Sequence, residues 1–157
     1  MSGYSTTLVV CATPEQVYDA VVHPRAWWGE AVFGRSVTPG DEFTFEVPGV
    51  HWSRLRVVES SPARVAWEVV DARIEYVAER DEWTGTRIEF ELEPVPEGAR
   101  LRFSHQGLMP ELECYDSCSQ AWASLVHGSL RRLVTEGRGE PYAAGPLAGR
   151  VGESWPR

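Results

Sequence analysis

Two cysteines in the stretch ECYDSCSQAW, Cys114 and Cys118, stand four positions apart, with His105 upstream and His127 downstream. Thiols and imidazoles at such spacing suit either a structural metal or thiol catalysis. A zinc site needs four converging ligands, usually with cysteines two to four residues apart. On a helix, Cys118 and His127 would lie about 180° apart around the axis, so they cannot share an ion. Cys114, Cys118 and His105 leave a fourth ligand missing, and the chain has no second cysteine pair. Thiol catalysis would need an imidazole oriented by a third group, and nothing adjacent supplies one. The carboxylates of Glu111, Glu113 and Asp116 should raise nearby thiol pKa values. We therefore expect no zinc and no resting disulfide between Cys114 and Cys118. Three cysteines, an odd number, fit reduced thiols in a cytoplasmic protein.

These side chains must be positioned by a chain of 157 residues, 43% hydrophobic and 24% charged, which suits one domain with its own core. The net charge is -8, so the chain offers no attraction to phosphate backbones or anionic lipid. Nucleic acid and membranes are thereby poor partners. No apolar run approaches the roughly 20 residues of a membrane span, and the start lacks a signal peptide's basic and apolar regions. Every basic charge is Arg and no Asn occurs, a habit of GC-rich genomes. Seven tryptophans are available to fill a core or line a pocket.

The segment STTLVV predicts a strand with Leu8 and Val10 on one face. A helix should follow, with Thr13 as N-cap, Pro14 in the first turn and Gln16 completing a capping box. Pro24 breaks it, and RAWWGE reads as a second short helix or turn that delivers Trp27 and Trp28 to the interior. From residue 35 to 108, Pro-Gly and Ser-Pro turns separate alternating segments. These place Phe43, Phe45 and Val47, then Val65, Trp67 and Val69, then Ile88, Phe90 and Leu92, then Leu101, Phe103 and His105 on one face of antiparallel strands. The segment DARIEYVAERDEW is ambiguous between strand and helix. A long helix over about residues 112–136 closes the domain, with Gly137 as its stop. At 100° per residue its stripe gathers Tyr115, Cys118, Trp122, Leu125, Val126, Ser129 and Leu133. Residues 138–157, rich in Gly and Pro, read as a tail or strap with Trp155 as a possible anchor.

The order of elements, with TPEQVYDAV, PRAWW, PARVAWEV, TRIEFEL, RLRFSHQGL and CYDSCSQAWASLVHGSLRRLV, resembles the START-like (SRPBCC) superfamily. Within it, the resemblance is to the branch of homologues of the activator of heat-shock-protein-90 ATPase. It covers about residues 5–136 and implies an α+β helix-grip fold over residues 1–137, a curved antiparallel sheet wrapped around a long C-terminal helix. It also implies a cavity lined by Phe45, Trp67, Phe90, Phe103, His105, Tyr115, Cys118, Trp122 and, from the helical stripe, Ser129. The expected partner is a hydrophobic small molecule, bound without cofactor or metal, in a protein that could pair as a homodimer. Trp67 and Trp122 should face each other, with His105 at the polar end. The alternatives are a cyclase- or hydrolase-type enzyme using His105 as acid or base, and a chaperone-associated interaction protein. The superfamily that the chain resembles also includes oxygenase domains, but the chain shows no Rieske Cys-His pattern, which removes that branch, and no additional N-terminal domain of the kind the eukaryotic activators carry, so ligand binding is expected ahead of chaperone stimulation.

Overall fold

A computed structural model describes residues 3–143. The element order is β1 (Gly3–Val10), α1 (Pro14–Val21), a 3-10 turn (Pro24–Ala26), β2 (Val32–Gly34), β3 (Glu42–Val47), β4 (His51–Ser61), β5 (Arg64–Ile74), β6 (Arg87–Val95), β7 (Gly98–Gln106), α2 (Tyr115–Ser124), a π-helical segment (Leu125–Leu130) and α3 (Arg131–Glu136). The strands form one antiparallel sheet in the order β1-β7-β6-β5-β4-β3-β2. The chain thus begins on one edge, crosses through α1 and the 3-10 turn to the other edge, and returns strand by strand. The C-terminal helix packs into the concave face. This is the helix-grip fold.

Local chemistry accounts for the short elements. Thr13 Oγ1 accepts from the Gln16 backbone N–H at 3.1 Å, and the Gln16 side chain accepts from Thr13 N–H at 2.8 Å, completing the capping box. Gly137 ends α3 with φ of 80°, a left-handed conformation that glycine adopts without steric cost. The curvature has a cause in β4, where the pairing register with β5 shifts between Arg54 and Leu55 and again between Val57 and Glu59. An irregularity of this kind bends a strand and increases its twist.

Three features differ from the sequence expectations. Residues 51–61, which the turn signals left without a strand of their own, form β4 and bury His51, Ser53, Leu55 and Val57 on the concave face. The ambiguous DARIEYVAERDEW segment divides, its first residues completing β5 and the remainder running through turns. The long helix begins at Tyr115 rather than 112 and is interrupted by a π turn at Leu125–Leu130. That turn changes the phase, so Leu130 is buried while Leu133, assigned to the buried stripe, is half-buried. On the convex face, Glu89 is also buried, held at 2.8 Å by both Arg64 and Arg87. Its carboxylate sits in an ion-pair array with these two guanidinium groups. Trp155 lies outside the described residues.

Candidate functional site

The concave face collects most of the tryptophans. Trp27, Trp28, Trp67, Trp83 and Trp122 are buried together with Phe43, Phe45, Phe90 and Phe103. The sheet supplies Trp67 and the phenylalanines, α2 supplies Trp122, and two connections supply Trp27, Trp28 and Trp83. Phe103 meets Trp122 at 4.6 Å between ring centroids, and Phe90 meets both Trp67 at 5.0 Å and Phe103 at 5.2 Å, edge to face. Edge-to-face and offset contacts satisfy ring quadrupoles and add to the gain from burial.

Trp28 occupies the middle of this cluster. Its ring stacks on Phe45 at 4.1 Å and 15°, and on Trp67 at 5.9 Å and 4°. It also touches Trp83 at 6.5 Å and Trp122 at 5.1 Å. Trp28 therefore contacts both of the rings that the sequence placed opposite each other. The following residue, Gly29, has no room for a side chain, since a Cβ there would approach Phe45 to 2.4 Å. Tyr142 bonds to both sides of this segment: its N–H donates to the Trp28 carbonyl at 3.0 Å, and its carbonyl accepts from Glu30 N–H at 2.8 Å.

His105 is tied into the same cluster by a directed chain of hydrogen bonds. Trp122 Nε1–H donates to His105 Nδ1 at 3.0 Å. Nδ1 must then be the acceptor, so the proton is on Nε2 and is donated to Thr86 Oγ1 at 2.8 Å. Thr86 passes its own proton to the Trp83 carbonyl at 2.5 Å. Both imidazole nitrogens are committed, and His105 holds rings in place rather than offering a free lone pair. His51 also meets the Trp83 ring edge to face, at 4.4 Å where His105 is 4.7 Å away. Burial pushes both imidazoles down to about 3, with the neighbouring His51 adding to the effect on His105. Thr86→Val should cost about 1 to 3 kcal/mol, because it strands the Nε2 proton in a dry interior without an acceptor. Denaturant melts at neutral pH measure this, and a loss near zero would show that the chain of bonds carries no stability.

Of the residues expected at the site, Phe45, Trp67, Phe90, Phe103, His105 and Trp122 come together in this cluster. Tyr115 stands half-buried at the edge of the core. Ser129 has a different role, donating to the Trp27 carbonyl at 2.6 Å and accepting from Glu140 N–H at 2.7 Å. It latches the C-terminal strap to the 3-10 turn. Cys118 joins Cys114, Ser117 and Tyr76 in a hydroxyl and thiol group bordering Trp83. Cys114 is raised, the direction expected, but by its hydrogen bond to Cys118, burial and the Glu82 carboxylate rather than by Glu111, Glu113 or Asp116. Cys118 departs from the expectation and is lowered, by Cys114 first and then by Tyr76, Trp83 and Ser117 against the opposing effect of burial. The sequence reading passed over His51, Trp83 and Thr86. A signal existed for His51, since residues 51, 53, 55 and 57 alternate inward. Trp83 lies in an irregular connection with no period to read.

His127 is exposed and bonds to Thr6 Oγ1 at 2.8 Å, remote from the cysteines. Among the described residues no group of three or more His, Cys, Asp or Glu could hold a metal ion, and no helix is long and apolar enough to cross a membrane.

Several solved structures share this architecture. The chain is similar to the Aha1 dimer from Colwellia psychrerythraea, with 25% identity, a TM-score of 0.70, and coverage of 88% of this chain and 100% of that one. It is similar in fold to CalU16 from Micromonospora echinospora, at 15% identity and a TM-score of 0.59, covering 96% of this chain and 83% of that one. DynU16, from the dynemicin biosynthetic locus, has 15% identity and a TM-score of 0.64, with 89% of this chain and 50% of that one covered. Among curated proteins none matches this sequence. The profile of the Activator of Hsp90 ATPase homolog 1-like proteins matches residues 11–135, so the capping box, strands β2 to β7 and the helix that carries Trp122 all fall within it, and the chain belongs to that family.

Proposed function

We propose that the protein binds a flat apolar or aromatic small molecule between the sheet and α2, at the position now filled by the Trp28 indole. The observation that carries this reading is the near-parallel stacking of Trp28 on Phe45 and Trp67, which forms a slot one aromatic ring thick. Trp28 comes from a short connection rather than from a strand or long helix, so its displacement leaves the pairing of the seven strands in place. The walls are apolar, and the polar groups nearby are the paired imidazoles, consistent with recognition by shape and stacking. One protein of the same fold, DynU16, comes from the dynemicin biosynthetic locus. The function needs no cofactor or metal, and a cytoplasmic location suits the reduced cysteines. Pairing of two copies is proposed by analogy with the Colwellia dimer.

The committed nitrogens of His105 place binding ahead of an enzyme that uses this residue as acid or base. Titration with indole, naphthalene and anthracene tests the proposal through tryptophan fluorescence and thermal stability together. A saturable fluorescence change with a raised melting temperature for at least one probe is expected. If all three leave both signals unchanged, the reading fails.

A further inference from the structure

The connection that carries Trp27 and Trp28 is held in place from the C-terminal end of the described chain. After Gly137 ends α3, residues 138–143 run back across this connection as a strap. Ser129 Oγ donates to the Trp27 carbonyl at 2.6 Å and accepts from Glu140 N–H at 2.7 Å, while Arg132 forms an ion pair with Glu140. Tyr142 then makes a parallel bridge to Gly29, in which the Trp28 carbonyl accepts from Tyr142 N–H and Glu30 N–H donates to the Tyr142 carbonyl. The approach is close, since a Cβ on Gly139 would lie 2.5 Å from the Ala26 carbonyl oxygen.

Two further bonds bracket the connection without involving the strap. Trp28 N–H donates to the Pro24 carbonyl at 2.7 Å, and the Ala31 carbonyl accepts from Glu46 N–H at 3.1 Å. Between the anchors at Pro24 and Ala31, the Trp27 carbonyl, the Trp28 carbonyl and the Glu30 N–H are engaged by Ser129 and Tyr142. The Trp28 ring has no exposed surface and stacks on Phe45 and Trp67, so it leaves that stack only when its backbone moves. The backbone in turn moves only when the strap lets go. The strap is the weaker side of this arrangement. Both side chains of its Arg132–Glu140 pair are exposed, where an ion pair adds little, and its few bonds open more readily than the ladders of the seven-stranded sheet.

We propose that the strap is an autoinhibitory gate on the aromatic slot, so that an incoming flat ligand and the closed strap compete. The inference rests on the reading of the Trp28 position as the ligand site. When Ser129 and Tyr142 release the connection, the Trp27–Glu30 segment swings out about its anchors at Pro24 and Ala31 and withdraws the Trp28 indole. A flat aromatic ring takes its place against Phe45 and Trp67. With the indole displaced, the Trp28 carbonyl no longer meets Tyr142 N–H, and the occupied protein keeps its strap open. Closure therefore lowers the apparent affinity in proportion to the fraction of open molecules. By the same linkage, a ligand that binds the open form shifts the population toward it.

Amide hydrogen exchange on the full chain, with naphthalene as the probe, tests the gate. In the free parent protein the Glu30 and Tyr142 amides should show the same protection, lower than that of β5 and β6. Saturating naphthalene should lower it further, whereas a ligand that fills a preformed cavity raises protection. Ser129→Ala removes both bonds of the latch, and Gly139→Ala pushes the strap off the Ala26 carbonyl through different atoms. Either variant should reduce the protection of Glu30 and Tyr142 about tenfold and leave β5 and β6 unchanged. Naphthalene binding, followed by tryptophan fluorescence, should tighten by a similar factor. Glu30 protection equal to that of the sheet, or equal naphthalene affinity in the parent and both variants, would overturn the gate and leave the slot intact. If naphthalene, indole and anthracene bind none of the three proteins, the slot reading itself fails and the gate falls with it.

Discussion

Trp28→Ala should destabilise the fold by about 3 to 5 kcal/mol, the upper range for truncating a buried ring, and should leave a slot that free indole can enter. Trp28 has no exposed surface and touches Trp27, Phe45, Trp67, Trp83 and Trp122. Removal deprives every one of those rings of a packing partner at once. The rings that remain are held by separate elements, so the site collapses only in part and a cavity persists. Indole should then raise the melting temperature of the variant more than that of the parent, because a ligand that binds only the folded state stabilises it by mass action. Urea melts with and without indole measure both quantities. A loss below about 1 kcal/mol, or a variant indifferent to indole, would mean that the ring neither supports the core nor marks a slot.

Acidification from pH 7 to pH 5 should remove about 4 kcal/mol of stability through His51 and His105 alone. The sign follows from where protons bind. Folded, both imidazoles are held near 3, whereas in the unfolded chain they titrate at the ordinary 6.5. Between those values the unfolded chain takes up protons that the folded one refuses, so stability falls as pH drops through the window and levels off above it. Each histidine contributes about 1.4 kcal/mol per pH unit well inside the window, and about 2 kcal/mol over the two units considered. His51→Gln should remove roughly half of the dependence, since His105 keeps its own burial and its bonds to Trp122 and Thr86. Equal stability of the parent at pH 7 and pH 5 would show that these imidazoles accept protons in the folded state.

Much of the architecture follows from local chemistry alone. Thr13 and Gln16 start α1 because their side chains satisfy backbone N–H groups within the same turn, and Gly137 stops α3 because a left-handed residue is needed there. Strand parity placed Phe45, Trp67, Phe90, Phe103 and His105 on the concave face, since alternate side chains of a strand must point the same way. What lies opposite those residues is a different matter. Trp28 and Trp83 come from connections whose side chains follow no period, and their destinations depend on where the sheet leaves room. The tautomer of His105 is likewise decided by Trp122 and Thr86, 17 and 19 positions away in the chain. The π turn shifts the phase after Leu125, which gives Ser129 to the strap instead of the aromatic cluster. For Cys118, nearby carboxylates predicted a raised pKa, but the helix start set it against the Cys114 thiol and folding brought the Tyr76 hydroxyl to its sulfur, which together lower it. Periodicity and capping act within a few residues and can be read along the chain, whereas the polarity around a buried atom depends on which distant segments pack against it.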